Sequence, residues 1–410
     1  MKSCNNTNRR IWVISELYYP ENTSTGYILT KISEGMASHF EVCVLCCRPT
    51  YSQKGVNVTK SEKRNGVLIR RCFSTTFNKN NIVKRLINGL TFCLSVFIHL
   101  LFRIKSDDKV LIVTNPPMLV LFVSLVCRFK KASLVLLVHD IYPDVLVVAK
   151  LFKAKSLVVR LWHFINAYVM KKCSTIIVIG RDMKKKLVAD FDILEEKIVF
   201  IPNFADIDVI HPQDHNGNSF LGRFALQSKL VIQNAGNIGP LHDINLILNA
   251  AKLLQNILPD IVFMFIGSGK KKVYLEKMIC DENLLNVVSL PQQPREMSNE
   301  FMNACDITLS VFVEGMKGVS VPSRSYNIMA SGKPFLAVTD PESELGLMIK
   351  EEQIGWVVTP GDLDGFIDAC TDIWNHKDQL ITMGRQSRKA AEEKYSLETV
   401  VKLFVDCLKL

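Results

Sequence analysis

Short, uninterrupted apolar runs recur along this 410-residue chain and constrain its fold more than any other feature: IWVIS (Ile11–Ser15), FEVCVLC (Phe40–Cys46), Lys109–Thr114, Leu134–Val138, STIIVIG (Ser174–Gly180), LVIQN from Leu230, Ile261–Gly267, and CDITLSVF (Cys305–Phe312). A strand that is apolar on both faces belongs inside a parallel sheet covered by helices on either side. Helical stretches lie between the runs, so the chain reads as repeated strand–helix units of an α/β fold. Periodicity is lost between Ala205 and Asn218. That break predicts two domains, 1–205 and 206–390, with a final amphipathic helix within 391–410.

The densest chemistry lies between Ser310 and Glu352, centred on VPSRSYNIMASGKP (Val321–Pro334). Pro322 suits a first helical turn, Gly332 closes the helix, and Pro334 forbids its continuation. A short strand, PFLAV, follows, and then Asp340 or Ser343 caps another helix. Two helix starts near one another offer unpaired N–H groups and positive dipole ends, which suit a diphosphate. Arg324 adds a planar fork of donors, and Glu344 can accept from the paired hydroxyls of a ribose. The turn Asn237-Ile238-Gly239 after the Leu230 strand can present backbone N–H groups to phosphate. The GSGKK segment after Ile266 fails as a P-loop, because the pattern needs glycine at Met264 and Ser or Thr at Lys271.

In the first half, Gly26 stands where a helix begins, after the small residues Ser24 and Thr25; it is either a ligand-approach position or a turn glycine. The Leu134 strand opens into HDIYPD. Loops at the carboxyl ends of parallel strands line ligand crevices, which makes His139 and Asp140 candidates for catalysis, with helix capping as the alternative for Asp140. Lys79–Lys105 holds five basic residues, no acid, and a thirteen-residue apolar core from Leu90 to Phe102. That core is short of the ~20 residues needed to span a bilayer. It suits a helix lying on a membrane surface or a buried core helix. Lys150–Lys186 carries ten basic residues and one acid, Asp182. With a net charge of +10, the chain favours acidic partners such as phosphates, anionic lipid or nucleic acid. Its twelve cysteines form no zinc spacing or disulfide framework, and no signal peptide is recognisable, so a cytosolic setting is expected. The triplets Asp190-Phe191-Asp192 and Asp206-Ile207-Asp208 do not follow a nucleotide-binding strand, and no metal site is expected from them.

Taken in order, ELYYPE…STG, NPPM, HDIYPD, IPN, AGNIG, CDITL, VPSRSYNIMASGKP and SELG resemble the retaining GT-B glycosyltransferases of family four, from Ile11 to about Ala391. The nearest resemblance is to the bacterial O-antigen and capsule members, including N-acetyl-L-fucosamine transferases. It implies two Rossmann-like domains facing across a cleft, with donor nucleotide on the C-terminal one, acceptor on the N-terminal one, and a last helix that crosses back. It further implies diphosphate contacts from Asn237, Ile238, Gly239, Ser323 and Arg324, a ribose contact from Glu344 next to Ser343, and a base bordered by Leu290 and Pro291. Two glutamates of the wider family fall at Val319 and Asn327, and its Arg and Lys fall at Asn237 and His242. Where the closer subfamily commonly has glycine, this chain has Asp243. The implied reaction moves an N-acetylated amino sugar from a nucleoside diphosphate, expected to be UDP-linked, to a polyprenyl-diphosphate saccharide. It would proceed without metal or cofactor, at the cytoplasmic face of an anionic membrane, with no nucleic acid partner. A GT-B nucleotide-sugar 2-epimerase and a non-catalytic membrane scaffold are the alternatives.

Overall fold

The computed structural model describes residues 10–50, 55–77, 81–214 and 217–410. Lys79 of the basic stretch lies outside them. The chain divides into two compact units, one comprising Met1–Asp144, Lys153–Asn203 and Leu397–Leu410, the other Val145–Phe152 and Phe204–Ser396. The chain changes unit two residues before the expected boundary at 205 and returns at 397 rather than 391. The physical reason is a clasp: Ala205 pairs with Ser396, and its N–H donates to the Tyr395 carbonyl at 2.7 Å, holding both segments in the second unit.

The first unit begins β1 (Arg10–Ile14), α1 (Ser24–Met36), β2 (Glu41–Cys46), β3 (Ser61–Arg64) and β4 (Val67–Arg71). It continues α2 (Ile82–Arg103), β5 (Lys109–Val113), α3 (Leu119–Lys130), β6 (Ser133–Val138), α5 (Leu157–Lys172), β7 (Thr175–Val178), α6 (Arg181–Phe191) and β8 (Ile198–Phe200), while α4 (Asp144–Val148), between β6 and α5 in the chain, belongs from Val145 onward to the second unit. The strands form one eight-stranded sheet, β3-β4-β2-β1-β5-β6-β7-β8, parallel except for the β3–β4 hairpin. The interior strands are apolar on both faces and almost fully buried, as their sequences require. Charged β3 (SEKR) occupies one edge, where its side chains discourage further pairing. On one side α2 packs on α3, α3 on α5, and α5 on α6.

The second unit contains α7 (Ser219–Gly222), β9 (Leu230–Asn237), α8 (Ile244–Ile257), β10 (Ile261–Ser268), α9 (Lys272–Asp281), β11 (Val287–Leu290), α10 (Ser298–Met302), β12 (Ile307–Val311) and α11 (Arg324–Ala330). Next come β13 (Phe335–Val338), α12 (Glu344–Glu352), β14 (Gly355–Val358), α13 (Leu363–Asn375) and α14 (Lys377–Glu393). Its six strands are all parallel, in the order β11-β10-β9-β12-β13-β14. The order steps outward in both directions from β9 and β12, which places the topological switch point between those two strands. Helix α15 (Leu397–Lys409) completes the chain and packs on α1 of the first unit.

Three expectations need correction. Helix α11 starts at Arg324, not Pro322, and Ser323 makes no side-chain cap; Gly332, at φ 66°, closes it as expected. Asp243 caps α8 by accepting from the Leu246 N–H at 3.2 Å, which explains a carboxylate where a glycine is common. Helix α2 runs 22 residues, well beyond the thirteen-residue apolar core. Its Phe92, Cys93, Val96 and Leu100 are buried, so at about 1.5–3 kcal/mol per large apolar side chain that face anchors the helix to its unit.

Candidate active site

In the second unit the sequence candidates gather along the carboxyl edge of the sheet. Asn237 ends β9, Leu290 ends β11, Ser323 precedes α11, and Ser343 and Glu344 open α12 after β13. Arg324 is the centre of this edge. Its Nη1 donates to the Ala235 carbonyl at 2.7 Å, and its guanidinium lies over Gly236. Any Cβ at 236 would overlap that guanidinium, and φ there is 144°, so glycine is required twice over. The guanidinium is half-buried, and burial lowers its pKa to about 10. It therefore stays charged at neutral pH, yet no carboxylate lies within ion-pair distance among the described residues. A desolvated, uncompensated cation at a topological switch point is a receptor for an anion.

The neighbouring turn works differently from the sequence expectation. The Ile238 N–H donates to the Ser268 carbonyl at 2.8 Å, and the Gly239 N–H donates to His242 Nδ1 at 3.2 Å. Those two N–H groups are taken up internally, so Ile238 and Gly239 shape the turn, and the exposed Asn237 side chain is what it presents. His242 went unrecognised as a site residue. Its ring stacks on Phe312 at 5.7 Å, and Lys271 Nζ donates to its carbonyl at 2.7 Å. Burial first, and then the Arg324 charge, push its pKa down to about 4. Accepting at Nδ1 makes it the Nε2–H tautomer. Because its folded pKa lies below the unfolded value of about 6.5, the unfolded state binds more protons between those values, so stability falls as pH drops from about 6.5 to about 4. Thermal melts across that window should show a loss for the wild type that His242→Gln reduces by on the order of 1–3 kcal/mol; identical pH profiles would mean His242 is protonated in the folded state.

Two further candidates lie on the same edge. Leu290 is buried in a core cluster with Phe220, Val231 and Met264, which leaves the exposed Pro291 and Gln292 as the surface at the end of β11. Glu344 is 3% exposed at the start of α12, beside a small hollow lined by Ser320, Thr339 and Ser343. Ser343 caps that helix, its Oγ accepting from the Gly346 N–H at 3.2 Å. The strand order bears on its role. Pro291 follows β11 and Glu344 follows β13, four strand spacings or roughly 19 Å apart, with Arg324 between them. Both residues lie beyond the strand ends, at the carboxyl edge that also carries Arg324.

The remaining candidates lie in the first unit. Gly26 is buried in the first turn of α1, where Thr23 accepts its N–H, and a Cβ would press on Glu21 and Thr23. Its small size lets the Glu21–Thr23 loop pack against the first turn of the helix. His139 and Asp140 follow β6 at the carboxyl edge. Their loop is fixed by Asn166, which donates to the Tyr142 carbonyl at 2.7 Å, by Tyr142 stacked on Trp162, and by Lys186, 3.0 Å from Asp144. Burial pushes the His139 pKa down to about 4, leaving a neutral imidazole, and its buried Nε2 has no protein partner among the described residues. Asp140 borders a hollow of about 20 Å³ with Thr114, Tyr142 and Asn166, room for about one water. Of the two acidic triplets, Asp190 pairs with Lys186, and Asp192 ends α6 in ion contact with Lys171 at 2.6 Å. The Asp206 N–H donates to Asn327 Oδ1, which gives Asn327 a structural task where the wider family has glutamate. No group of three or more His, Cys, Asp or Glu side chains is placed to hold a metal among the described residues.

Two Rossmann-like units with parallel sheets, one holding an uncompensated arginine at its switch point, define the GT-B class of glycosyltransferase. Residues 223–390 match the family model for glycosyl transferases group 1. Over 410 residues the chain is 30% identical to the probable glycosyltransferase WbjE of Pseudomonas aeruginosa, covering 98% of both proteins. It is 25% identical to the putative colanic acid biosynthesis glycosyl transferase WcaI of Escherichia coli K12, over 82% of this chain and 85% of that protein. Among solved structures it is similar to Anabaena HepE in complex with UDP, with a TM-score of 0.72 and 12% identity over 98% of this chain and 99% of that one. The chain belongs to the group 1 glycosyltransferases and is a transferase enzyme; membership decides against the isomerase and the scaffold.

Proposed function

We propose that this enzyme transfers a sugar, expected to be an N-acetylated amino sugar, from UDP to a polyprenyl-diphosphate-linked saccharide in bacterial surface polysaccharide synthesis, with retention of anomeric configuration. The observation that carries this reading is Arg324, a half-buried cation with no carboxylate partner among the described residues, at the switch point of the second sheet. Support for the nucleotide and pathway comes from HepE, solved with UDP, and from WcaI, named for colanic acid biosynthesis. In this reading Arg324 and Asn237 hold the diphosphate with the α11 start at Ser323, and the base lies toward Pro291. Glu344 then falls on the sugar side of the diphosphate. Phosphate charge is met by Arg324 and helix starts without metal. A calorimetric panel of UDP, GDP and ADP tests this: UDP should bind saturably and most tightly, EDTA should not change it, and Glu344→Gln should leave UDP affinity within about twofold. Absence of saturable nucleotide binding would remove the donor assignment.

The acceptor's lipid tail stays in the bilayer, so the enzyme must come to a cytoplasmic membrane face. Helix α2 supports this. By length and composition alone Val83–Arg103 is apolar enough to cross a membrane, yet only 28% of its most apolar window is buried, far less than a core helix would be. Leu94, Ile98 and Phe102 project from it, and Phe129 of α3 and Leu161 and Phe164 of α5 are exposed on helices packed in the same layer. Lys84, Arg85, Arg103, Arg128 and Arg160 are exposed on these helices. Such a layer, lying in the interface with basic residues at head-group level, gains area-dependent burial plus about 1 kcal/mol per basic residue near an anionic surface. Replacing Leu94, Ile98 and Phe102 with serine should release the protein from anionic vesicles while leaving its melting temperature and UDP binding intact. The half-buried Phe97, 6.3 Å from Phe122, packs inward and is a poorer target. A folded triple variant that stays on vesicles would place the membrane face elsewhere.

A further inference from the structure

We propose that the second unit carries a separate site for a small phosphate ester, at the edge of its sheet opposite Arg324. Leu230, the first residue of β9, and Asp306 and Pro334, just before β12 and β13, open onto a cavity of about 750 Å³. Asn237 lies at the far end of β9, seven residue steps or roughly 23 Å away. The cavity is therefore distinct from the donor edge. Its volume falls in the range of small-molecule pockets.

Six basic and three acidic residues line it. Lys229 is neutralised by Asp260 at 2.5 Å. Arg388 is committed to Glu392 at 2.6 Å and to the carbonyls of Ile210 and Ala330, each at 2.8 Å. Lys333, Lys377 and Arg385 have no carboxylate within ion-pair distance among the described residues. Lys333 weighs most, because it is only 9% exposed. Most of its surface is packed away and no carboxylate lies beside its ammonium among the described residues, so an anion entering the cavity meets an uncompensated charge there. Asp306, on the same cavity, accepts the Val231 N–H at 2.7 Å. The opposite wall is apolar: Leu380, Pro334 and the Trp374 ring, over which Lys377 lies. A compact dianion on three cations, with a ring-sized body against an apolar wall, describes a phosphate ester about the size of a hexose phosphate.

Calorimetry on the whole chain, with glucose 6-phosphate and inorganic phosphate as probes, tests the proposal. Glucose 6-phosphate should bind once per chain and more tightly than phosphate. Lys377→Glu with Arg385→Glu should weaken it at least about tenfold; both positions are exposed, so the variant keeps its fold, and a melt checks that. Arg324→Ala should leave this binding unchanged. The proposal is overturned if neither probe binds by about 10 mM, if the double variant binds like the wild type, or if Arg324→Ala abolishes binding, which would assign the anion to the donor edge.

Discussion

Arg324→Ala should weaken UDP binding about 10- to 150-fold, corresponding to roughly 1.5–3 kcal/mol for a charge-assisted hydrogen bond set. The size follows from the environment. The guanidinium is already fixed by its bond to the Ala235 carbonyl and by contact over Gly236, so little side-chain freedom remains to be lost on binding. Its desolvation is borne by the folded protein before the ligand arrives, and among the described residues no carboxylate competes for its remaining donors. Arg324→Lys should fall in between, since it keeps the charge but loses the planar fork. Because Arg324 is uncompensated, its removal should also leave stability unchanged or raise it slightly, which separates a binding loss from a folding loss. Calorimetry that finds the same UDP affinity in Arg324→Ala as in wild type would remove this residue from the donor site.

The second large effect is expected at the carboxyl edge of the first sheet. Asp140→Asn should lower turnover by about 10²- to 10⁴-fold, the range for a positioned acid–base group, while UDP affinity stays within about twofold. Asp140 is half-buried beside a one-water hollow on a loop braced by Asn166, Tyr142 and Trp162. That bracing is what a group orienting an acceptor hydroxyl requires. His139 is a different kind of group. With its pKa lowered by burial to about 4 it is neutral through the physiological range, which makes it a weak base. His139→Asn should therefore lower turnover without shifting the pH optimum. Wild-type turnover in both variants would exclude this loop from the chemistry.

The two sheets were legible because their interior strands are apolar on both faces, a pattern that needs no partner to interpret. Ser343 as a cap and Gly332 as a terminator were legible for the same local reason. The β3–β4 hairpin was missed although its signal is strong. Asn65 and Gly66 both sit at positive φ in a tight turn, but the charged SEKR strand lacks the apolar pattern that drew attention elsewhere. The burial of Leu290 was not legible, because a strand's last residue can point to the core or to the crevice, and sequence does not tell which. His242 and Lys271 escaped because their roles depend on the turn into which they fold, where His242 accepts from Gly239 and Lys271 holds the His242 carbonyl. The placement of Pro291 and Glu344 beyond strands four spacings apart could emerge only from the strand order.

The most direct test of the central claim is product analysis with UDP-N-acetylhexosamines, in the presence and absence of a polyprenyl-diphosphate-linked saccharide. UDP should be released only when the acceptor is present, and NMR of the product should show the donor's anomeric configuration preserved. Conversion of donor alone into an epimer, or an acceptor product of inverted configuration, would contradict the account.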